Sequence, residues 1–271
     1  MKSYVLRTCS ADMTSCQGAF TWPASGPVEA PDWSPAPHCG EGLHGFLNGC
    51  GNGALADWNE SAKWLIIEVD SEVLIDLKGK VKFPRGEVAF CGDRLGAIAK
   101  LEALAPETKH MPVIGAIRVA GANMQCHAGD RGTATAGVEG TATAGYRGDA
   151  TAGDYGTATA GDYGTATAGY FGKAIAEDYG TATAGERGTA TAGYRGTATA
   201  GAGGTATAGD GGKVTAGGEG KISINWWDEK AKRLRTTIGY VGEDNIQANI
   251  PYQCDKEGKL IPAGSSDPPT E

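Results

Sequence analysis

Between residues 132 and 225 the chain repeats the octet Gly-Thr-Ala-Thr-Ala-Gly-x-x without insertion. Twelve leading glycines keep the phase, from Gly132, Gly140 and Gly148 to Gly204, Gly212 and Gly220. A fixed short period builds stacked units that bury their apolar faces only against neighbouring copies. Within an octet Thr-Ala-Thr-Ala alternates with period two, so threonines point to one side and alanines to the other. The flanking glycines tolerate the positive φ of a sharp corner. One strand and one corner cannot close a ring, but two can. The expected unit is a sixteen-residue coil with two parallel sheets back to back. Alanine points inward because only a small side chain fits a thin coil; threonine, a good strand former, points out. The phase extends backward through Gly121 and Gly129, so residues 116–123 and 124–131 read as two larger, degenerate octets. Fourteen half-coils make seven coils, a stack roughly 30 Å long at ~4.8 Å per rung.

The Thr-Ala-Thr-Ala-Gly core, followed by pairs such as Asp162-Tyr163 and Tyr194-Arg195, resembles the repeats of bacterial ice-nucleation proteins. Those write sixteen-residue coils much like Gly-Ser-Thr-x-Thr-Ala-Gly, with Tyr near the corners. The resemblance covers about a third of the chain. Both halves of each coil here carry Thr-x-Thr, and the array is far shorter than a nucleator's.

Residues 1–112 are non-repetitive. Residues 4–7 and 88–91 have strand character, and residues 22–37 hold five prolines, which implies an ordered loop or an extended wrap. Two apolar runs, 64–69 and 73–77, flank Asp70-Ser71-Glu72 and predict a hairpin. A helix is expected over 93–105: Asp93 can cap it, Leu95, Ile98, Leu101 and Leu104 are the candidate apolar face, and Pro106 ends it. Together these define a small α+β domain. Within it, Cys39-Gly-Glu-Gly-Leu-His44-Gly is similar to a Cys-x-x-Gly-Leu-His element of a small N-terminal domain of unknown function found in phage and prophage proteins. The runs 80–87 and 92–94 share that resemblance, which implies a phage-associated context and no known activity.

The last octet places Ile222 and Ile224 at alanine positions, so larger inward residues seal the end of the stack. Trp226, Trp227 and a strand over 233–241 then form a cap, because an open solenoid end exposes unpaired backbone. The expected organisation is thus mainly β. It comprises an α+β domain (1–112), a two-sided parallel β-solenoid (113–225), a cap (226–263) and a disordered tail (264–271).

A net charge of −8 argues against nucleic acid or an anionic membrane as partner. The N-terminus lacks the apolar stretch of a signal peptide, and no run is long enough to span a membrane, which together predict a cytoplasmic protein. Seven scattered cysteines fit reduced thiols better than a disulfide framework.

His38, Cys39, His44 and Cys50 are the one cluster of metal-ligand types, but their spacing fits no zinc finger. A Cys39–His44 dyad lacks an orienting residue nearby in sequence. No metal, cofactor or catalytic residue is therefore expected. Asp154, Asp162, Asp178 and Asp210 fall at corners without a calcium-binding pattern and read as solvated. Residues sixteen apart share an edge, which places Tyr163 over Tyr179 on one and Tyr155 beside Phe171 on the other. Such ladders are either simple edge packing or an interface. One face carries Thr165/Thr167, Thr181/Thr183 and Thr197/Thr199 in unbroken succession; the other is interrupted by Lys173 and Ile175.

These features predict a non-enzymatic interaction protein, phage- or prophage-associated, that binds a host protein. Ice binding through the Thr-x-Thr face is the alternative, and an enzyme in the N-terminal domain a third. The apolar area inside an alanine coil is small, so a homodimer along the edge bearing Tyr163 and Tyr179 is expected, with arginines set against aspartates across it.

Overall fold

The computed structural model describes residues 1–15 and 20–265. It is mainly β and divides into two compact units, Met1–Ala116 with Ala128–Asp130, and Ile117–His127 with Arg131–Glu271. The division falls four residues after the expected boundary, and the C-terminal segment shares the unit of the coils. Residues 266–271, the larger part of the expected tail, and Cys16 lie outside the described residues.

The first unit is built on strands β1 (Lys2–Cys9), β2 (Gly26–Glu29), β3 (Leu43–Leu47), β4 (Lys63–Asp70), β5 (Ile75–Asp76), β6 (Val81–Phe83) and β7 (Arg85–Gly92). They form one antiparallel sheet in the order β2-β7-β4-β1-β3-β6-β5. The apolar run in β4 is continuous because both of its faces are covered. Leu65, Ile67 and Val69 join Val5 and Phe83 in one core, while Trp64 and Ile66 join Leu6, Ile98 and Leu101 in another. The hairpin expected between 64–69 and 73–77 does not form. β4 pairs with β1 along its whole length and with β7 on its other edge, leaving no edge free. Asp70 instead caps a 3-10 turn, Ser71–Val73, and β5 pairs with β6. Residues 22–37 are not a loop throughout. Gly26–Glu29 adds an edge strand to β7, a position where Pro27 removes no needed donor.

Helix α1 (Arg94–Leu104) follows β7, and the Asp93 carboxylate accepts the Gly96 N–H at 2.7 Å. Its buried residues are Ala97, Ile98 and Leu101, whereas Leu95 is 56% exposed. A series stepped by three residues drifts around the axis by about 60° per step, so Leu95 leaves the buried face.

The second unit is a solenoid of seven coils. One sheet stacks β8 (Ile117–Ala120), β10 (Thr133–Ala136), β12 (Asp149–Ala152), β14 (Thr165–Ala168), β16 (Thr181–Ala184), β18 (Thr197–Ala200) and β20 (Lys213–Ala216). The other stacks β9 (Gln125–His127), β11 (Thr141–Ala144), β13 (Thr157–Ala160), β15 (Lys173–Ala176), β17 (Thr189–Ala192), β19 (Thr205–Ala208) and β21 (Lys221–Asp228). All these pairs are parallel with a sixteen-residue offset, as in Thr165↔Thr181 and Thr141↔Thr157. The degenerate octets join in phase, Ile117 against Thr133 and Gln125 against Thr141. Inward alanines such as Ala158, Ala166, Ala174 and Ala182 are fully buried.

The corners differ from expectation. Positive φ belongs to the residue before each leading glycine: Arg147 (53°), Tyr155 (57°), Tyr163 (58°), Phe171 (51°), Tyr179 (58°) and Arg187 (55°). Left-handed backbone costs a non-glycine roughly 1–2 kcal/mol. It is retained because it turns the N–H along the solenoid axis. Tyr163 N–H donates to the Asp178 carbonyl of the next coil at 2.9 Å, while Gly161 N–H donates to Ala144 in the previous coil. The glycines are required for close approach instead. A Cβ on Gly161 would lie 2.9 Å from the Gly145 carbonyl carbon, and one on Gly140 2.7 Å from the Ala136 Cβ.

After β21 the chain folds back. β22 (Arg233–Tyr240) pairs antiparallel with β21, β23 (Tyr252–Cys254) with β20, and β24 (Leu260–Pro262) with β23. Val214, Ile222, Ile224, Ile246 and Tyr252 are buried there. The Trp226 Nε1–H donates to Thr237 Oγ1 at 3.0 Å, whereas Trp227 is 42% exposed.

Candidate functional site

The threonines predicted as a binding face lie in one sheet and in register. Thr165, Thr181 and Thr197 form one column, and Thr167, Thr183 and Thr199 the second. Each pairs at the same sequence offset, so the columns repeat at one strand spacing, ~4.8 Å, with ~6.7 Å between columns. β-Branching restricts each side chain at χ1, which limits the positions that hydroxyl and methyl can take before anything binds. Asp149 interrupts the first column toward β10, and Lys213 replaces threonine in β20. On the opposite sheet Lys173 and Ile175 stand where threonines precede and follow them.

The edges carry ladders in which the left-handed residue of each corner projects over its equivalent one coil away. Tyr155 and Phe171 stack at 5.5 Å with planes 4° apart, and the Arg187 guanidinium lies 5.6 Å from the Phe171 centroid. On the second edge Arg147 lies 5.5 Å from the Tyr163 ring, which stacks on Tyr179. Tyr146, Tyr170 and Tyr194 meet these ladders edge-on. Cation–π pairing thus extends the stacks, a feature that the sequence reading missed.

It also missed the work of the corner aspartates, which are not merely solvated. Asp154 Oδ1 accepts the N–H of Tyr170 at 2.8 Å, Asp162 that of Asp178 at 3.0 Å, and Asp178 that of Tyr194 at 2.8 Å. Asp210 accepts from Trp227 at 3.2 Å, tying the cap to the last coils. The signal was the recurrence of aspartate at the first corner position, with its acceptor facing a donor one coil on.

The Cys39–His44 element lies in the first unit. Among the described residues no group of three or more His, Cys, Asp or Glu side chains could hold a metal. His38 pairs with Glu41 at 3.3 Å, and Cys50 donates to the Asn48 carbonyl. The Lys80 ammonium donates to Cys39 Sγ at 2.9 Å and holds that thiol below its usual range. His44, half-buried on β3, is pushed down to about 4 by burial and, to a lesser degree, by Lys80 and Arg7. Six free cysteines are described, Cys9, Cys39, Cys50, Cys91, Cys126 and Cys254. No described helix is long and apolar enough to cross a membrane.

A family model described as a domain of unknown function, DUF7666, matches residues 3–99. The chain is also similar to ice nucleation proteins. It is 42% identical to one from Pseudomonas syringae over 98 residues, 35% of this chain and 8% of that relative. With one from Xanthomonas campestris pv. translucens it shares 37% over 117 residues, 42% of this chain and 7% of the relative. With ice nucleation protein InaU from Pantoea ananas it shares 35% over 99 residues, covering 36% and 10%. The matched stretch therefore spans a tenth or less of the length of these relatives. No solved structure matches the chain.

Proposed function

We propose that this chain is a non-enzymatic ice-binding solenoid that uses the threonine columns of β14, β16 and β18 as its ice-facing surface. The observation that carries this is the register of Thr165, Thr181 and Thr197 beside Thr167, Thr183 and Thr199. A rigid grid of hydroxyls and methyls at fixed spacing can hold surface waters in an ordered layer. Support also comes from the similarity to ice nucleation proteins. The unbroken grid covers three rungs, so a single chain offers a small template. Adsorption to existing ice is the expected activity, with nucleation requiring several copies side by side. The test is thermal hysteresis, together with partitioning of the protein into slowly growing ice. Exclusion from ice with no hysteresis at high protein concentration would remove this function.

The competing function, binding a host protein in a phage or prophage context, rests on the Cys39–His44 element and its neighbours in sequence. Recovery of one stoichiometric bacterial partner by the full chain, together with exclusion from ice, would favour it.

A further inference from the structure

On the edge bearing Tyr155 and Phe171 the order of side chains is self-complementary. Four successive corners present Glu139, Tyr155, Phe171 and Arg187, each sixteen residues and one coil from the next. Hydrogen bonds between coils hold them in one column. The N–H groups of Glu139, Tyr155 and Phe171 donate to the carbonyls of Asp154, Tyr170 and Glu186 at 2.8, 2.8 and 2.9 Å. At one strand spacing per coil the column is about 14 Å long. Tyr155 is 56% and Phe171 43% exposed, and Glu139 and Arg187 are exposed at the two ends. Val138 and Tyr170 add exposed apolar surface beside them. Aromatics in a polar surround are characteristic of interfaces.

The charged ends are available to a partner. The ion pairs among the described residues involve neither Glu139 nor Arg187. The Arg187 guanidinium lies 5.6 Å from the Phe171 centroid, a contact with the ring face that uses none of its N–H donors.

We propose that a second copy of this chain docks on this edge about a two-fold axis normal to the solenoid sheets, passing between Tyr155 and Phe171. That operator runs the two columns antiparallel. It sets Glu139 opposite Arg187 of the second copy and Tyr155 opposite its Phe171, and each contact is made twice. Val138 falls opposite Glu186 and Asp154 opposite Tyr170, so no like charges meet. A two-fold along the solenoid axis would instead set Glu139 on Glu139, Glu186 on Glu186 and Arg187 on Arg187, and like-charge opposition disfavours it. The operator normal to the sheets turns the threonine columns of both copies to the same side. The contact itself does not depend on whether those threonines bind ice. It is small, two ion pairs around four rings, and belongs to the weak class of interfaces.

The test is sedimentation of the full chain carrying Tyr163→Ser/Tyr179→Ser, so that the opposite edge contributes nothing. The expected result is reversible dimerisation with a midpoint near ~0.3 mM. Phe171→Ser on that background is expected to weaken it by roughly tenfold. Glu139→Arg and Arg187→Glu, made singly, each set like charges opposite one another and are expected to weaken it by about tenfold. The double swap Glu139→Arg/Arg187→Glu restores opposite charges and is expected to return the midpoint to within about threefold. The proposal is overturned if no association appears by ~2 mM. It is also overturned if the single swaps leave the midpoint where it was, or if the double swap does not recover it. Should the serine background fail to fold, the same charge swaps in the parent chain, read at the same concentrations, decide.

Discussion

Tyr163 and Tyr179 stack with ring centroids 4.9 Å apart and planes 3° from parallel. That distance is the strand spacing, so the solenoid rise itself sets the contact. The charges once expected to cross a dimer seam have partners within the chain: Arg147 on Tyr146 and Tyr163, Arg195 on Tyr194, and Asp162 and Asp178 on backbone N–H groups. Any two-fold contact along this edge therefore depends on the tyrosine faces. Sedimentation at tens of micromolar is expected to show a dimer, and Tyr163→Ser/Tyr179→Ser a monomer. A monomeric parent chain rules out the edge contact.

Glu139 and Gly140 should respond in opposite directions. Glu139 holds a φ of 56°, so Glu139→Gly relieves left-handed strain and is expected to stabilise by about 0.5 kcal/mol after the entropy of glycine is subtracted. Gly140→Ala forces a Cβ to 2.7 Å from the Ala136 Cβ and 2.9 Å from the Gly137 carbonyl oxygen. It is expected to destabilise by about 2 kcal/mol, and thermal unfolding of the two variants reads both signs.

Ala182 is fully buried in the coil interior. Ala182→Val adds volume between two sheets that have no room to part. The expected loss is about 1–3 kcal/mol, read from the urea midpoint. Val214, two coils along the same column, occupies its position beside β23 at the end of the stack. Val214→Ala should therefore also destabilise, by leaving a void. Unchanged midpoints would show that the interior is looser than its burial implies.

Stability should depend on pH through His44. Its folded pKa is lowered from 6.5 to about 4, chiefly by burial, so the folded state favours the neutral ring. The unfolded chain then binds the extra proton first, and this contribution is complete above 6.5 and lost as pH falls toward 4. His44→Gln is expected to flatten the urea midpoint between pH 7 and 4 relative to the parent. Parallel profiles for the two chains would remove His44 as the cause.

If the grid binds ice, position on the solenoid matters more than residue type. Thr183→Lys places a charged chain in the middle of the unbroken columns, while Thr191→Lys makes the same change on the opposite sheet beside Ile175. The first is expected to reduce thermal hysteresis by roughly tenfold, as one rung of three is lost from the face, and the second to leave it unchanged. Equal effects would place the active surface elsewhere.

The octet alone determined the coil. A strict eight-residue period with alternating Thr and Ala leaves one way to bury alanine, and the sixteen-residue register follows from it, including the degenerate strands β8 and β9. It also placed Tyr163 over Tyr179 and the six face threonines in one sheet. Tertiary structure decided what depends on contacts between coils or across long loops. Which corner residue takes positive φ is set by a hydrogen bond to the next coil, as in Tyr163 to Asp178, and no local propensity encodes it. The aspartate staples need an N–H one coil away, sixteen residues on in Asp154 and Tyr170. In the first unit the run at 64–69 looked like half of a hairpin because local pattern favours the nearest partner. Its true partners are the N-terminal strand and β7, and burial on both faces selected them.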